Sequence, residues 1–375
     1  MVKTTTLIYF TIWQMLMVAG VVHSETLPDT NATKNVGEFE WFPLAAYDRD
    51  IGVGLGLKGF YLNAIGKNES SDATVFASTK GERWFRFVFS IPDFEIRHGT
   101  RFDYAIDLSI DYDLYLRNSF FGVGMGSNFN NRSYYSKEPL DINLSMSRGF
   151  SETYTGRIGV RYKIVNNYNI DKNIYNNPDL SSLKEGKAER YSYFLTFTYD
   201  TKDNRLNPKK GYFIEAEWEN SPFVKIQNPE LKIQNFVLNR FSFEAQYYYY
   251  IEFLKTVFAS RFKSEWLSNI DLPVQFLLPI GGNNTLRGFP QDRFLDKAYG
   301  LVNSELRFPI WCRLGGILGL DMGRVWSSIE EFSFYNWRIT PAVGLRFYMD
   351  TFIIRLTPVN SLLNPKSALI MNVSI

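Results

Sequence analysis

The 375-residue chain has one cysteine and two histidines, and its charge leans to neither sign. Cys312 therefore has no intramolecular partner for a disulfide, and it is expected to be a small membrane-facing or packed side chain rather than a reactive thiol. His23 lies in the opening apolar stretch and His98 in the turn-like IRHGT. A Ser-His hydrolase would need His98 beside a nucleophile, but no G-x-S-x-G elbow is present. So few His and Cys also leave only carboxylates as metal ligands. Neither enzyme activity, nor a cofactor, nor a metal site is expected. The 41 basic and 39 acidic residues call for no nucleic acid.

Beyond the opening residues there is no uninterrupted apolar run of the ~18 residues that a membrane-crossing helix requires. The opening itself, MVKTTTLIYFTIWQMLMVAGVVHSE, has one lysine, an apolar core from Leu7 to Val22 and small or β-branched residues leading to Ser24. That is the make-up of a secretory signal peptide cleaved after Ser24, with no cysteine nearby for a lipid anchor.

What the chain does have is alternation. In RFDYAIDLSIDYDLYLR, Phe102, Tyr104, Ile106, Leu108, Ile110, Tyr112, Leu114 and Leu116 alternate with Arg101, Asp103, Asp107, Asp111, Asp113 and Arg117. Successive side chains of a β-strand face opposite sides, so one face is oily and the other charged. Strands of soluble sandwiches usually end after about 5 to 6 residues, whereas about 9 to 11 cross a bilayer. Length thus favours a transmembrane β-barrel. The same pattern sets Ile214, Ala216 and Trp218 against Glu215, Glu217 and Glu219, and Phe258, Phe262 and Trp266 against Arg261, Lys263 and Glu265. A mean hydropathy of −0.20 is compatible with this, because inward polar residues cancel outward apolar ones. Girdles of Tyr and Trp would account for the 17% aromatic content.

Fourteen segments, from 51–61 to 366–375, pass this test. Fourteen is a lower bound, since Gly, Asn and Ser blur the periodicity of 62–82 and 118–135. SRGFSE and FLK read as tight periplasmic turns, and the polar Asn166 to Glu189 stretch as an exterior loop. The domain reading is a signal peptide over 1–24, a short N-terminal segment over 25–48, and an outer-membrane barrel over 49–375.

Five stretches in order, YDTKDNRLNPKKGY, GGNNTLRGF, LVNSELRFPI, GLDMGRVW and AVGLRFYMDTFIIRLTPV, resemble the barrel of the outer-membrane assembly factor, or bacterial surface antigen, superfamily that includes BamA and TamA. FFGVGMGSNFNNRSYY is similar to an earlier Gly-rich stretch of that family. The resemblance implies an all-β, sixteen-stranded antiparallel barrel in the bacterial outer membrane. It also implies that Arg287, Gly288 and Phe289 sit at the tip of a long loop folded into the lumen, with a carboxylate partner on the strand that carries Asp321. The bland alternative for Arg287 is a solvated loop arginine, and Glu305 is either a second carboxylate of that network or ordinary lumen lining. Gly319 stands where the family often has an aromatic, and the chain ends in Ile375 rather than an aromatic.

The segment between Ser24 and the first alternating stretch is too short for a folded domain, so the expected form lacks the periplasmic POTRA domains of its relatives. The implied function is insertion or translocation of protein or lipid, with outer-membrane lipid, a separate periplasmic protein and a client polypeptide as partners. A lateral seam is expected between IGVGLGLKGF, weakened by Gly52, Gly54, Gly56 and Gly59, and the last strand with Val373 and Ile375. The alternatives are a passive channel and the barrel partner of a separately encoded enzyme.

Overall fold

The computed structural model describes residues 37–48, 51–171, 177–228, 231–268, 272–348, 353–361 and 364–374. They lie in one folded unit, Val36–Ile375. The signal peptide expected over 1–24 and the terminal Ile375 lie outside the described residues.

Strands β1 (Glu38–Asp48), β2 (Gly52–Leu62), β3 (Ser70–Ser78), β4 (Glu82–Ile91), β5 (Phe102–Phe120), β6 (Ser133–Gly149) and β7 (Tyr154–Tyr168) follow one another as a meander. It continues through β8 (Gly186–Asp200), β9 (Gly211–Asn228), β10 (Leu231–Ile251) and β11 (Thr256–Leu267). An excursion then forms a separate two-stranded ribbon from β12 (Leu278–Ile280) and β13 (Phe294–Asp296). The meander resumes with β14 (Ala298–Trp311), β15 (Leu314–Trp326), β16 (Arg338–Tyr348), β17 (Ile353–Ser361) and β18 (Asn364–Ser374). β18 returns to β1, so sixteen antiparallel strands close a barrel among the described residues.

The two-faced alternation is explicit on β8. Tyr191, Tyr193, Leu195 and Phe197 are 54, 48, 52 and 49% exposed, while Arg190, Ser192 and Thr196 are 5, 6 and 1% exposed. An apolar outer face and a polar inner one is the arrangement that lipid outside and polar surroundings inside require. On the inner wall Glu219 meets Arg161 at 2.5 Å, Arg240 at 3.0 Å and Arg190 at 3.3 Å. Arg240 also reaches Glu217 and Glu265, each at 2.8 Å.

The two strands that alternation missed are β1 and β3. In β1 the run WFPLAAY hides the period, yet Phe39 and Trp41 face outward; in β3, SSDATVFAS is too small and polar to show it. The barrel accordingly begins at Glu38, inside the stretch read as a short N-terminal segment, and not at residue 49.

This displaces the expected seam. Gly52, Gly54, Gly56 and Gly59 belong to the second strand, which is paired along its whole length to β1 on one side and from Gly54 to Leu62 to β3 on the other. Two of these glycines make room for an aromatic. A Cβ on Gly54 would come within 2.0 Å of the Phe76 ring, and one on Gly56 within 2.5 Å of the Val75 carbonyl oxygen. Phe76 lies in that slot and stacks on Trp84 with ring centroids 5.2 Å apart. Val373 is on β18, opposite Ile354 of β17.

Of the two expectations for Cys312 the packed one does not hold, since the residue is exposed in the tight turn between β14 and β15, with φ of 49°. On β5 the alternation does not run unbroken, because a bulge between Tyr115 and Asn118 shifts its phase. Asn118 and Phe120 are buried beyond it, although Leu114 and Leu116 belong to the outward set before it. One extra residue in one strand reverses which side chains face in.

Because successive strands run antiparallel, the connections alternate between two ends. One end carries connections 121–132 and 169–185 and the excursion between β11 and β14; the other carries 92–101, 150–153, 201–210 and 252–255.

Candidate functional site

The excursion between β11 and β14 turns back into the barrel. Its tip needs backbone that side chains resist: Gly281, Gly282 and Gly288 have φ of 125°, 86° and 87°. Thr285 ties the turn by accepting from the Gly281 amide and donating to its carbonyl, both at 2.8 Å, and the Gly282 amide donates to Phe289 at 3.0 Å.

This turn aims Arg287 at the wall formed by β14 and β15. Its Nε and Nη2 donate to Asp321 at 2.6 and 2.7 Å, a two-pronged match of guanidinium to carboxylate. Its Nη1 donates to Glu305 at 2.7 Å, and its backbone amide to Asp321 at 3.2 Å. Asp321 is completely buried and also accepts from Asn303 at 2.9 Å, while Glu305 accepts from Arg307 at 2.9 Å. Burial alone would disfavour the charge on Arg287, but Asp321 and then Glu305 hold its pKa above the ordinary value.

Gly319 has a local reason. A Cβ there would lie 3.1 Å from Arg287 Nη2 and 3.3 Å from the Ser304 carbonyl oxygen, so the bare backbone gives the guanidinium space against the wall. Phe289 turns away from the ion pair and packs edge-on to Phe294, with ring centroids 5.3 Å apart. The geometry thus brings Arg287, Asp321 and Glu305 together, with Gly288 and Phe289 shaping the turn. Val373 and the β2 glycines are elsewhere in the wall.

The loop has a second anchorage that sequence reading missed. Asp292 accepts from Lys137 of β6 at 2.9 Å and from Asn118 of β5 at 3.3 Å. Arg293 donates to the Ser127 hydroxyl and carbonyl oxygens, both at 2.6 Å, and lies 4.7 Å over the Phe121 ring. Burial would raise the Asp292 pKa, but the Lys137 ammonium and the hydrogen bonds from Lys137 and Asn118 take it below the usual carboxylate range. No spacing rule connects 137 to 292, and only the shape of the barrel does.

Apolar packing fills the gaps between these anchors. Phe276, Leu278, Ile280, Leu286 and Phe294 of the excursion join wall residues Leu238, Leu267, Leu301 and Val325 in one buried cluster. Val274 and Leu295 join Phe120, Tyr135, Leu180 and Leu183 in another. The excursion is a plug across one end of the lumen, tied to β14 and β15 on one side and to β5 and β6 on the other.

His98 has Nε2 3.6 Å from Asp200 at the opposite end of the barrel. Among the described residues no group of three or more His, Cys, Asp or Glu is placed to hold a metal ion.

The sequence matches the Omp85 superfamily domain over residues 63–356. The chain belongs to the Omp85 superfamily. Omp85 barrels reside in the bacterial outer membrane. Among solved structures, this Omp85 chain is similar to BamA from Haemophilus ducreyi lacking POTRA domains 1–3, with 13% identity, a TM-score of 0.64, and coverage of 91% of this chain and 70% of that one. It is similar to CdiB from Escherichia coli, at 14% identity and TM-score 0.60, covering 92% of this chain and 64% of that one. CdiB from Acinetobacter baumannii gives 13% identity, TM-score 0.57, and coverage of 92 and 61%. The chain therefore spans less than two thirds of either CdiB. At such identities these likenesses establish the fold alone. No curated protein sequence matches significantly.

Proposed function

We propose that this Omp85 barrel inserts or translocates polypeptide or lipid at the outer membrane by opening sideways between β1 and β18. The observation that carries the reading is the contrast at β1. Among the described residues its register with β2 runs through eleven pairs, from Glu38–Leu62 to Asp48–Gly52, whereas its register with β18 gives one, Tyr47–Met371. A strand edge with few ladder bonds is a template for another strand. A client β-strand can pair there by replacing few existing contacts.

The plug supports the same reading against passive conduction. A loop that is ion-paired on both sides and cored with apolar side chains crosses one end of the lumen, which is unlike the open lumen of a passive channel. The route of least rearrangement is through the wall. Outer-membrane lipid, a client polypeptide and a separate periplasmic protein that delivers it are the partners of this scheme. The test is to deplete the protein, measure the outer-membrane proteome and lipid content, and record single-channel conductance of the pure barrel. Loss of particular outer-membrane components with low conductance is expected; an unchanged membrane with a large steady conductance would mean a channel.

A further inference from the structure

The connection between β15 and β16, residues 327–337, leaves the barrel at the same end as the plug. Strand parity shows which side of the wall it takes. On β15, Leu318 and Leu320 are 49 and 42% exposed while Asp321 is buried, so the even positions face outward, through Arg324 to Trp326. On β16, Ile339, Val343 and Leu345 are 53, 55 and 41% exposed, and the same row carried one step back reaches Trp337. Both tryptophans therefore belong to the outer face. A Cβ on Gly300 of β14, paired with Arg324, would lie 3.0 Å from the Trp337 ring and 3.2 Å from the Trp326 ring, so the two indoles lean over the outside of β14.

The rest of the connection folds down onto them. Phe332 and Trp337 cover Trp326, with ring centroids 5.0 and 5.8 Å from it, and leave it 2% exposed. Phe334 extends the cluster, 5.0 Å from Phe332 and stacked on Trp337 at 6.3 Å with 14° between the planes. Two hydrogen bonds hold the backbone in place: Trp337 Nε1 donates to the Ser333 carbonyl oxygen at 2.8 Å, and Arg324 Nη1 donates to that of Tyr335. A surface connection would ordinarily stand in the medium. This one is laid back along the outer wall.

The cluster hides Trp326 but presents Phe334 and Tyr335 at 83 and 74% exposure. Large apolar side chains gathered on a surface mark a contact. What makes the contact follows from continuity, because the cluster prolongs the outward apolar rows of β15 and β16, which meet lipid in an outer-membrane barrel. Rings of Phe, Tyr and Trp suit the level where headgroups give way to acyl chains. Charge contributes little. Arg324 is engaged by the Tyr335 carbonyl, and the neighbouring Glu330 and Glu331 are exposed, so an anionic headgroup finds no attraction here.

We propose that residues 332–337 are an interfacial anchor, seated in the lipid leaflet at the plug end of the barrel between headgroups and acyl chains, with Glu330 and Glu331 left in water. This goes beyond the lateral-opening reading and does not depend on it, since the anchor is carried by β15 and β16 and not by the β1–β18 edge.

The test uses the full barrel with Cys312→Ser and either Phe334→Cys or Glu330→Cys, labelled with a small environment-sensitive fluorophore and reconstituted in phosphatidylcholine vesicles. Both sites are at one end of the barrel, so mixed orientation affects them equally. The label at 334 should emit further to the blue than the label at 330 and be quenched several-fold less by iodide. Lipid brominated near the headgroup end of its acyl chain should quench it several-fold more than lipid brominated near the methyl end. Phosphatidylglycerol in the vesicles, or salt at about 1 M, which screens charges beyond about 3 Å, should change none of this. Heat-modifiable gel mobility checks the fold, and Tyr335→Cys carries the label if Phe334→Cys does not fold. Iodide reaching 334 as readily as 330 would overturn the proposal by placing the connection in water. Shielding from both quenchers would overturn it in favour of a protein cover such as a second copy, and quenching by lipid only with phosphatidylglycerol present would overturn it in favour of headgroup charge.

Discussion

Arg287→Ala tests the plug where it is best defined. The substitution leaves Asp321, which is fully buried, with Asn303 as its remaining side-chain donor, and leaves Glu305 with Arg307. Arg287 itself is 11% exposed, so water screens the pair little. Removing one partner of a buried pair costs about 3 to 5 kcal/mol, because the other charge stays uncompensated. The barrel strands do not depend on the pair, so the cost falls on docking of the loop. At 1.4 kcal/mol per factor of ten, the open form of the loop should rise by about two to four orders of magnitude. Hydrogen exchange reads this directly. The Gly282 amide, bonded to Phe289 in the docked turn, should exchange faster by that factor, while amides of β8 and β9 keep their rates. Arg287→Ala combined with Asp321→Asn should recover part of the protection. An acceleration below about tenfold, or one equally large in the strands, would refute the reasoning.

Docking of the same loop should also depend on pH. Asp292 has its pKa lowered in the folded state, so its contribution is complete above the unfolded value of about 3.9 and disappears as the pH falls through the lower folded value. Protease sensitivity around Asp292 should therefore appear below about pH 4, and Asp292→Asn should remove that transition. In the β2 wall, Gly54→Val should destabilise the barrel by about 1 to 3 kcal/mol through overpacking against Phe76. Heat-modifiability on gels measures this, and adding Phe76→Ala should restore the loss; a double variant no better than Gly54→Val alone would contradict the slot.

Much of the barrel was legible because bilayer and lumen impose a period of two that β8 and β9 display residue by residue. The pattern failed where chemistry blurred it. Pro43 and the apolar run around it concealed β1, and small polar residues concealed β3. Glycine carried two meanings that sequence does not separate: an absent side chain weakens a strand, but at Gly54 and Gly56 it houses Phe76. The Arg287 turn was legible because its glycines, its arginine and the carboxylates at 305 and 321 stand in a recognisable order. The Asp292–Lys137 and Arg293–Ser127 contacts were not, since partners 155 and 166 residues apart meet only once the barrel has closed.

The central claim is that β1 and β18 part during function. Its most direct test is a thiol cross-link between the two strands, made by placing cysteines at the paired positions Tyr47 and Met371 in a Cys312→Ser background. A control pair at Ala45 and Leu55 locks β1 to β2 instead. Each would replace the native protein in a depletion strain, and the outer-membrane proteome and lipid content would be measured before and after a reductant. The account predicts that the 47–371 lock abolishes activity reversibly while the 45–55 lock leaves it intact. Full activity in a completely cross-linked 47–371 population would contradict it.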